Sequence, residues 1–165
     1  NTFDVIQLND WLQKFKNEFC PTHGMKEHQI EIKITPETLT ISFDPEQLHQ
    51  ILWNLCSNSI NHSGIDLHQL LIKIYGHISD KSQQPIIDIE DNGQGIDEKI
   101  EAHVFEPFYT ASTEGTGLGL YIIKEIVENN RAKIELLNQH GNNNCFRIYF
   151  MQPDTQSKNQ PGQQG

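Results

Sequence analysis

The chain is short of cations, of cysteine and of long apolar runs. Lys and Arg number 12 against 22 Asp and Glu, a formal net charge of −10 over 165 residues. That balance excludes the basic face on which nucleic-acid binding rests, so no nucleic-acid partner is expected. The three cysteines, Cys20, Cys56 and Cys145, are far apart and form no C-x-x-C pair; they read as reduced thiols of a cytoplasmic protein. The eight histidines show no H-E-x-x-H or other zinc spacing. No apolar run reaches the length of a membrane span, and there is no signal peptide. Starting at Asn1, the chain reads as a piece of a longer protein.

Hydrophobic residues make up 36% of the chain, which suits one domain with a real core. Only the end departs from this. From Asp154 the sequence DTQSKNQPGQQG has nothing to bury, and residues 154–165 are expected to be a disordered tail.

Periodicity lays out the elements. Leu8, Trp11, Leu12, Phe15 and Phe19 have helical spacing, with Asn9 or Asp10 as cap and Cys20-Pro21 as the end. Ile30, Ile32 and Ile34 form one alternating run and Leu39, Ile41 and Phe43 another. Thr35-Pro36-Glu37 lies between them, so a hairpin is predicted. Asp44-Pro45-Glu46 opens a second helix with the stripe Leu48, Ile51, Leu52, Leu55 and Cys56, and Ser63-Gly64 stops it. Another alternating run follows (Leu70, Ile72, Ile74, Ile78), then a strand over 86–91. A third helix reaches about Asn130, and two last strands carry Ile134 with Leu136, and Phe146 with Ile148 and Phe150. Clean alternation means one buried and one wet face, hence an α+β fold: a mixed sheet with helices on one side.

Three stretches carry chemistry. In ILWNLCSNSINHS, residues 51–63, Asn54, Asn58 and Asn61 recur at i, i+4 and i+7 and so share one helix flank beside the apolar stripe. Asparagine is a poor helix former; at the rim of a core its amide oxygens can face a cleft and suit Mg²⁺ together with phosphate oxygens. A plain polar flank is the other reading. In IIDIEDNGQGID, Asp91 shares a strand face with Ile87 and Ile89. A buried carboxylate there needs donors. The exocyclic amine of adenine is one, with Ile96 to cover the ring, and Gly93 and Gly95 allow close backbone approach. By itself Asn-Gly reads more simply as a turn. EGTGLGL, residues 114–120, lacks the Gly-Lys-Ser/Thr of a Walker loop and the strand-borne G-x-G-x-x-G of a dinucleotide fold. It fits a loop entering a helix whose free N–H groups attract phosphate; a tight helix start is the alternative.

In this order the stretches resemble the ATP-binding catalytic domain of bacterial two-component sensor histidine kinases, within the gyrase-like and chaperone-like ATPase superfamily. The asparagine box is matched by NLCSNSINHS, the first glycine box by DNGQGI, the phenylalanine box by FEPFYT (105–110) and the second glycine box by GTGLGL. The lid region looks most like the nitrogen-regulation and pilus-regulation kinases. The resemblance covers residues 1–153 and implies a two-layer α/β sandwich with a mostly antiparallel sheet. It implies Mg²⁺ on Asn58, with Asn54 one turn earlier as its catalytic neighbour and Asn61 and His62 in the pocket wall. It implies adenine on Asp91 beside Gly93, Gly95 and Ile96. Phe105 and Phe108 would anchor a lid, and Gly115, Thr116, Gly117, Leu118 and Gly119 would wrap the phosphates.

The implied reaction is transfer of the ATP γ-phosphoryl group to a histidine on a separate dimerisation domain, the same polypeptide supplying it within a homodimer. A response regulator would receive it later. The location implied is cytoplasmic, as part of a membrane-anchored sensor, with no direct membrane contact by this domain. Two departures stand out. A cation common in the family is replaced by Asn61 and a lid lysine by Ser112, which removes charge from the β/γ-phosphates; Lys124 or Arg131 are the candidates to substitute. Asn54 stands where the related ATPases have a glutamate base, which favours a kinase over free hydrolysis. A non-catalytic nucleotide-sensing module and an anti-sigma-type serine kinase of the same fold are the alternatives.

Overall fold

The computed structural model describes residues 2–107, 119–139 and 142–151. In chain order the elements are β1 (Asp4–Gln7), α1 (Leu8–His23), β2 (Ile30–Ile34), β3 (Thr40–Phe43), α2 (Pro45–His62), β4 (Ile72–Ile78), β5 (Pro85–Asp91), the single turn α3 (Glu98–Glu101), α4 (Gly119–Asn129), β6 (Lys133–Gln139) and β7 (Asn142–Tyr149). Five strands form the main sheet in the order β2-β4-β5-β7-β6, and β1 pairs with β3 in a small second one. Within the main sheet only β2 and β4 are parallel; the other three pairings are antiparallel.

Strand register puts like with like. Ile74 lies opposite Ile89, Ile89 opposite Phe146, and Ile87 opposite Ile148, which in turn meets Ile134. This face packs with Leu12, Phe15 and Phe19 of α1, Leu48, Ile51, Leu52 and Leu55 of α2, and Ile123 and Val127 of α4 in one core. The other face carries polar groups: Arg147 forks onto Asp88 at 2.7 and 2.8 Å, Tyr149 donates to Glu135 at 2.7 Å, and Tyr75 donates to Glu31 at 2.8 Å. Burying each Leu, Ile or Phe contributes about 1.5–3 kcal/mol, whereas a part-buried ion pair such as Arg147–Asp88 offsets much of its attraction by desolvation. The apolar face therefore holds the helices, giving the two-layer α+β architecture expected.

The predicted hairpin does not form. β2 pairs with β4, Ile30 opposite Ile72, and β3 pairs with β1, Ile41 opposite Ile6. Alternation assigns faces but not partners. The first helix also differs at both ends. Its cap is Gln7, whose side chain accepts the Asp10 N–H at 2.7 Å, rather than Asn9 or Asp10. It runs past Pro21 to His23 and ends at Gly24, whose φ of 70° is left-handed. A proline in the last turn forfeits one bond without stopping the helix, and glycine takes the left-handed position at little cost.

Helix α2 follows its signals: Asp44 accepts the Glu46 and Gln47 N–H groups at 3.0 and 3.2 Å, and Pro45 leads the first turn. Buried Asn130, just past α4, accepts the Asp44 N–H at 3.2 Å and donates to Gln47 at 2.6 Å, joining the end of one helix to the start of the other.

Candidate functional site

The site grows from the end of β5 and the flank of α2. Asp91 closes the strand on the face of Ile87 and Ile89 and is half-buried. Its Oδ1 accepts the Gly93 N–H at 2.9 Å. The Asn144 amide from β7 donates to the backbone carbonyl of Asp91 and, at 3.5 Å, to that of Gly93. Burial pushes Asp91 above the usual carboxylate range, opposed by the nearby polar groups of Ser59, the Gly93 N–H and Asn144. No cation is among them.

The loop after Asp91 is strapped down rather than turned into a hairpin. Asn92 accepts the Leu71 N–H at 2.7 Å and donates to the Gln69 carbonyl at 2.9 Å. The Gln94 N–H donates to the Ser63 carbonyl at 2.7 Å. At Gly93 a Cβ would stand 2.4 Å from Ser63 Cβ and 2.5 Å from its carbonyl oxygen, so the loop meets the end of α2 at a distance only glycine permits. Gly95 and Ile96 follow, both half-buried.

On α2, Asn54 and Asn58 are half-buried beside the core stripe, whereas Asn61 and His62 are exposed in the last turn. Phe105 packs against the core and meets Phe146 edge-on, with ring centroids 6.1 Å apart. Gly119 begins α4, the helix that the second glycine box enters. Phe108, Ser112, Gly115, Thr116, Gly117 and Leu118 lie outside the described residues.

Of the cations considered as substitutes, Lys124 is near Glu128 at 3.9 Å. Arg131 follows the far end of α4, twelve residues beyond Gly119, or about 18 Å at helical rise. It is therefore not at the glycine end of the helix. The cysteines are free and buried, and burial raises all three thiols, Cys145 to about 12.

Ser59, Ser63, Asn92 and Gln94 are absent from the site residues expected from the sequence. One signal was available: Ser59 falls on the apolar stripe, one turn beyond Leu55, and is nearly buried. A polar residue on a core stripe requires a partner, and the Ser59 hydroxyl donates to the Leu55 carbonyl one turn back, at 3.4 Å.

The chain belongs to the histidine kinase-, DNA gyrase B- and HSP90-like ATPase family, whose sequence pattern matches residues 43–154. Within it, the chain is similar to the sensor protein kinase PilS of Pseudomonas aeruginosa, 32% identical over 148 residues, covering 90% of this chain and 28% of that one. It is also similar to the sensor histidine kinase ZraS of Salmonella typhimurium, 30% identical over 150 residues, covering 90% of this chain and 31% of that one. The chain thus spans about a third or less of the length of these relatives. Among solved structures, the catalytic domain of histidine kinase ThkA superposes with a TM-score of 0.74 at 25% identity, covering 91% of this chain and 95% of that one. No described helix is long and apolar enough to cross a membrane.

Proposed function

We propose that residues 1–153 bind ATP with Mg²⁺ and deliver the γ-phosphoryl group to a histidine on a dimerisation domain of the same polypeptide, for onward transfer to a response regulator, in the cytoplasm. The observation that carries this reading is Asp91: a half-buried carboxylate that accepts the Gly93 N–H at 2.9 Å, near the asparagine helix α2. A carboxylate so placed gains from one more donor, and the adenine amine supplies it, with Gly95 and Ile96 shaping the pocket.

Asn58 fits a hard cation through its amide oxygen, one turn from Asn54 on the same half-buried flank. Among the described residues no three His, Cys, Asp or Glu side chains converge to cage a metal. An ion on Asn58 would therefore share the phosphate oxygens, and bound there it supplies charge neutralisation at the transferring group. Asn61 and His62 line the outer wall, and Phe105 anchors the start of the lid to Phe146.

The chemistry left to the protein is positioning. An imidazole nitrogen of the acceptor forms the new N–P bond as the bond to the bridging β/γ-oxygen breaks and ADP leaves. The Asn54 amide cannot take a proton from water, so hydrolysis lacks a base here. The named relatives are sensor kinases, which favours this reading over a nucleotide-sensing module or a serine kinase.

Titrating the chain with ATP, with and without Mg²⁺, tests it. Binding at micromolar to submillimolar ATP is expected, and none at millimolar ATP defeats the proposal. Asn58→Ala should weaken Mg²⁺-dependent binding about tenfold and metal-free binding little; equal losses remove its ligand role. Labelled ATP mixed with the cognate histidine domain should label histidine, and tight binding without label supports a sensing module. Deleting residues 154–165 should leave ATP affinity unchanged.

A further inference from the structure

Both tryptophans of the chain, Trp11 and Trp53, stand in one aromatic cluster between α1 and α2. Trp11 stacks on Phe15 with ring centroids 5.9 Å apart and 8° between the planes, and Phe15 stacks on Phe19 at 5.5 Å. His49 of α2 meets Trp11 and Phe15 edge-on and stacks on Trp53 at 5.2 Å. Phe15 and Phe19 belong to the core, but Trp11 and His49 are only half-buried. With Phe15 and Pro45 they floor an open groove of about 360 Å³ between the two helices. Trp11, Phe15 and Glu18 share one face of α1, at i, i+4 and i+7. The rim is charged. Glu18 accepts from the His49 ring at 3.3 Å, yet its side chain is 60% exposed. The Glu46 carboxylate is exposed and has no partner among the described residues. Lys14 is the one cation lining the groove, so two carboxylates face a single ammonium.

We infer that this groove docks an arginine-bearing segment of a protein partner, its guanidinium against Trp11 and its donors toward Glu18 and Glu46. An apolar floor with a polar rim is the form an interaction site takes on a protein surface. The guanidinium is the group that suits floor and rim together. It is planar and stacks on aromatic rings, and its fork of N–H donors matches carboxylates. An ammonium is a strongly hydrated point charge and gains less from such a floor. The net charge of −10 draws a cationic segment in from a distance. On α2, His49 and Asn58 are nine residues apart, or two and a half turns at about 3.6 residues per turn. The segment therefore docks on the flank of α2 opposite the residue proposed for Mg²⁺, and nucleotide and segment bind together.

Calorimetric titration of the whole chain with acetylated, amidated tetra-arginine, tetra-lysine and tetra-citrulline peptides tests this. Tetra-arginine should bind at submillimolar concentration and shift the tryptophan emission, because both tryptophans belong to the cluster. Tetra-lysine should bind about fivefold more weakly. Tetra-citrulline, which keeps the planar head but not the charge, should bind about tenfold more weakly. Glu46 is exposed, so Glu46→Gln leaves the fold intact, and it should weaken tetra-arginine about threefold. Trp11→Ala should weaken it about tenfold. Trp11→Leu keeps the apolar bulk without the aromatic face, should lose as much, and serves if Trp11→Ala does not fold. ATP affinity should be unchanged in every variant. Equal affinity for the arginine and lysine peptides, or affinity undiminished by the Glu46 and Trp11 substitutions, would show attraction to net charge alone and overturn the inference. No binding at millimolar tetra-arginine also overturns it, as does a joint loss of peptide and ATP affinity on substituting Trp11. If the chain binds tetra-arginine but no ATP, the groove stands and the nucleotide-binding proposal fails.

Discussion

At the scale of single residues, Asp91 is stabilised as an anion by hydrogen bonds and opposed by desolvation, and desolvation is the larger effect. Its carboxyl therefore titrates above the ordinary aspartate value of about 4. The folded, nucleotide-free chain binds this proton more tightly than the unfolded chain. The associated stability is fully present below the ordinary value and is lost as pH rises through the raised one. Asp91→Asn removes that loss. At neutral pH the nucleotide-free variant should melt higher than the native chain while losing most of its ADP affinity. A lower melting temperature at unchanged affinity would show that the carboxylate is structural. Gly93→Ala should act in the opposite sense. Its Cβ would stand 2.5 Å from a backbone oxygen, which cannot swing aside, so a loss of about 1–3 kcal/mol is expected in chemical denaturation. Asp91 could be read from the sequence because it ends an alternating strand. Ser63 could not, because nothing local shows which loop will press against the end of its helix.

At the scale of elements, α2 follows local rules throughout. Asp44 caps it, and the N–H groups of Gln47, Thr2 and Glu46 hold its carboxyl below the usual range. This contribution is present above the ordinary aspartate value and is lost as pH falls through the lowered one. Asp44→Ala should cost about 1 kcal/mol at neutral pH, and the difference from the native chain in urea denaturation should shrink in acid. A constant difference across pH would argue against the charged cap. Helix α1 obeys the same physics less legibly. Gln7 caps it, and Pro21 sits inside its last turn because Gly24 takes the left-handed position that ends it. Both departures involve residues that local preference ranks low and that neighbouring geometry permits.

At the scale of the whole molecule, Asn130 is the clearest link between parts. Buried at the end of α4, it bonds the Asp44 backbone, the Gln47 side chain and the Ile126 carbonyl. It thereby joins the helix entered from the second glycine box to the start of the asparagine helix. Removing it leaves the part-buried Asp44 N–H and Gln47 amide without this partner, so Asn130→Ala should cost about 1–2 kcal/mol. In a double-mutant cycle, Gln47→Ala should add less in the Asn130→Ala background than alone; strict additivity would refute the coupling.

By itself the sequence determined which residues turn inward, where α2 starts and stops, and the order of the boxes, because these depend on spacing along one chain. Asp91, Asn54 and Asn58 were legible for that reason. Only the tertiary structure decided that β2 pairs with β4 instead of β3 and that Asn144 of β7 reaches the Asp91 carbonyl at the end of β5. Each of these is a contact between segments distant in sequence, selected by how all the apolar faces can be buried at once, and no local pattern records that choice.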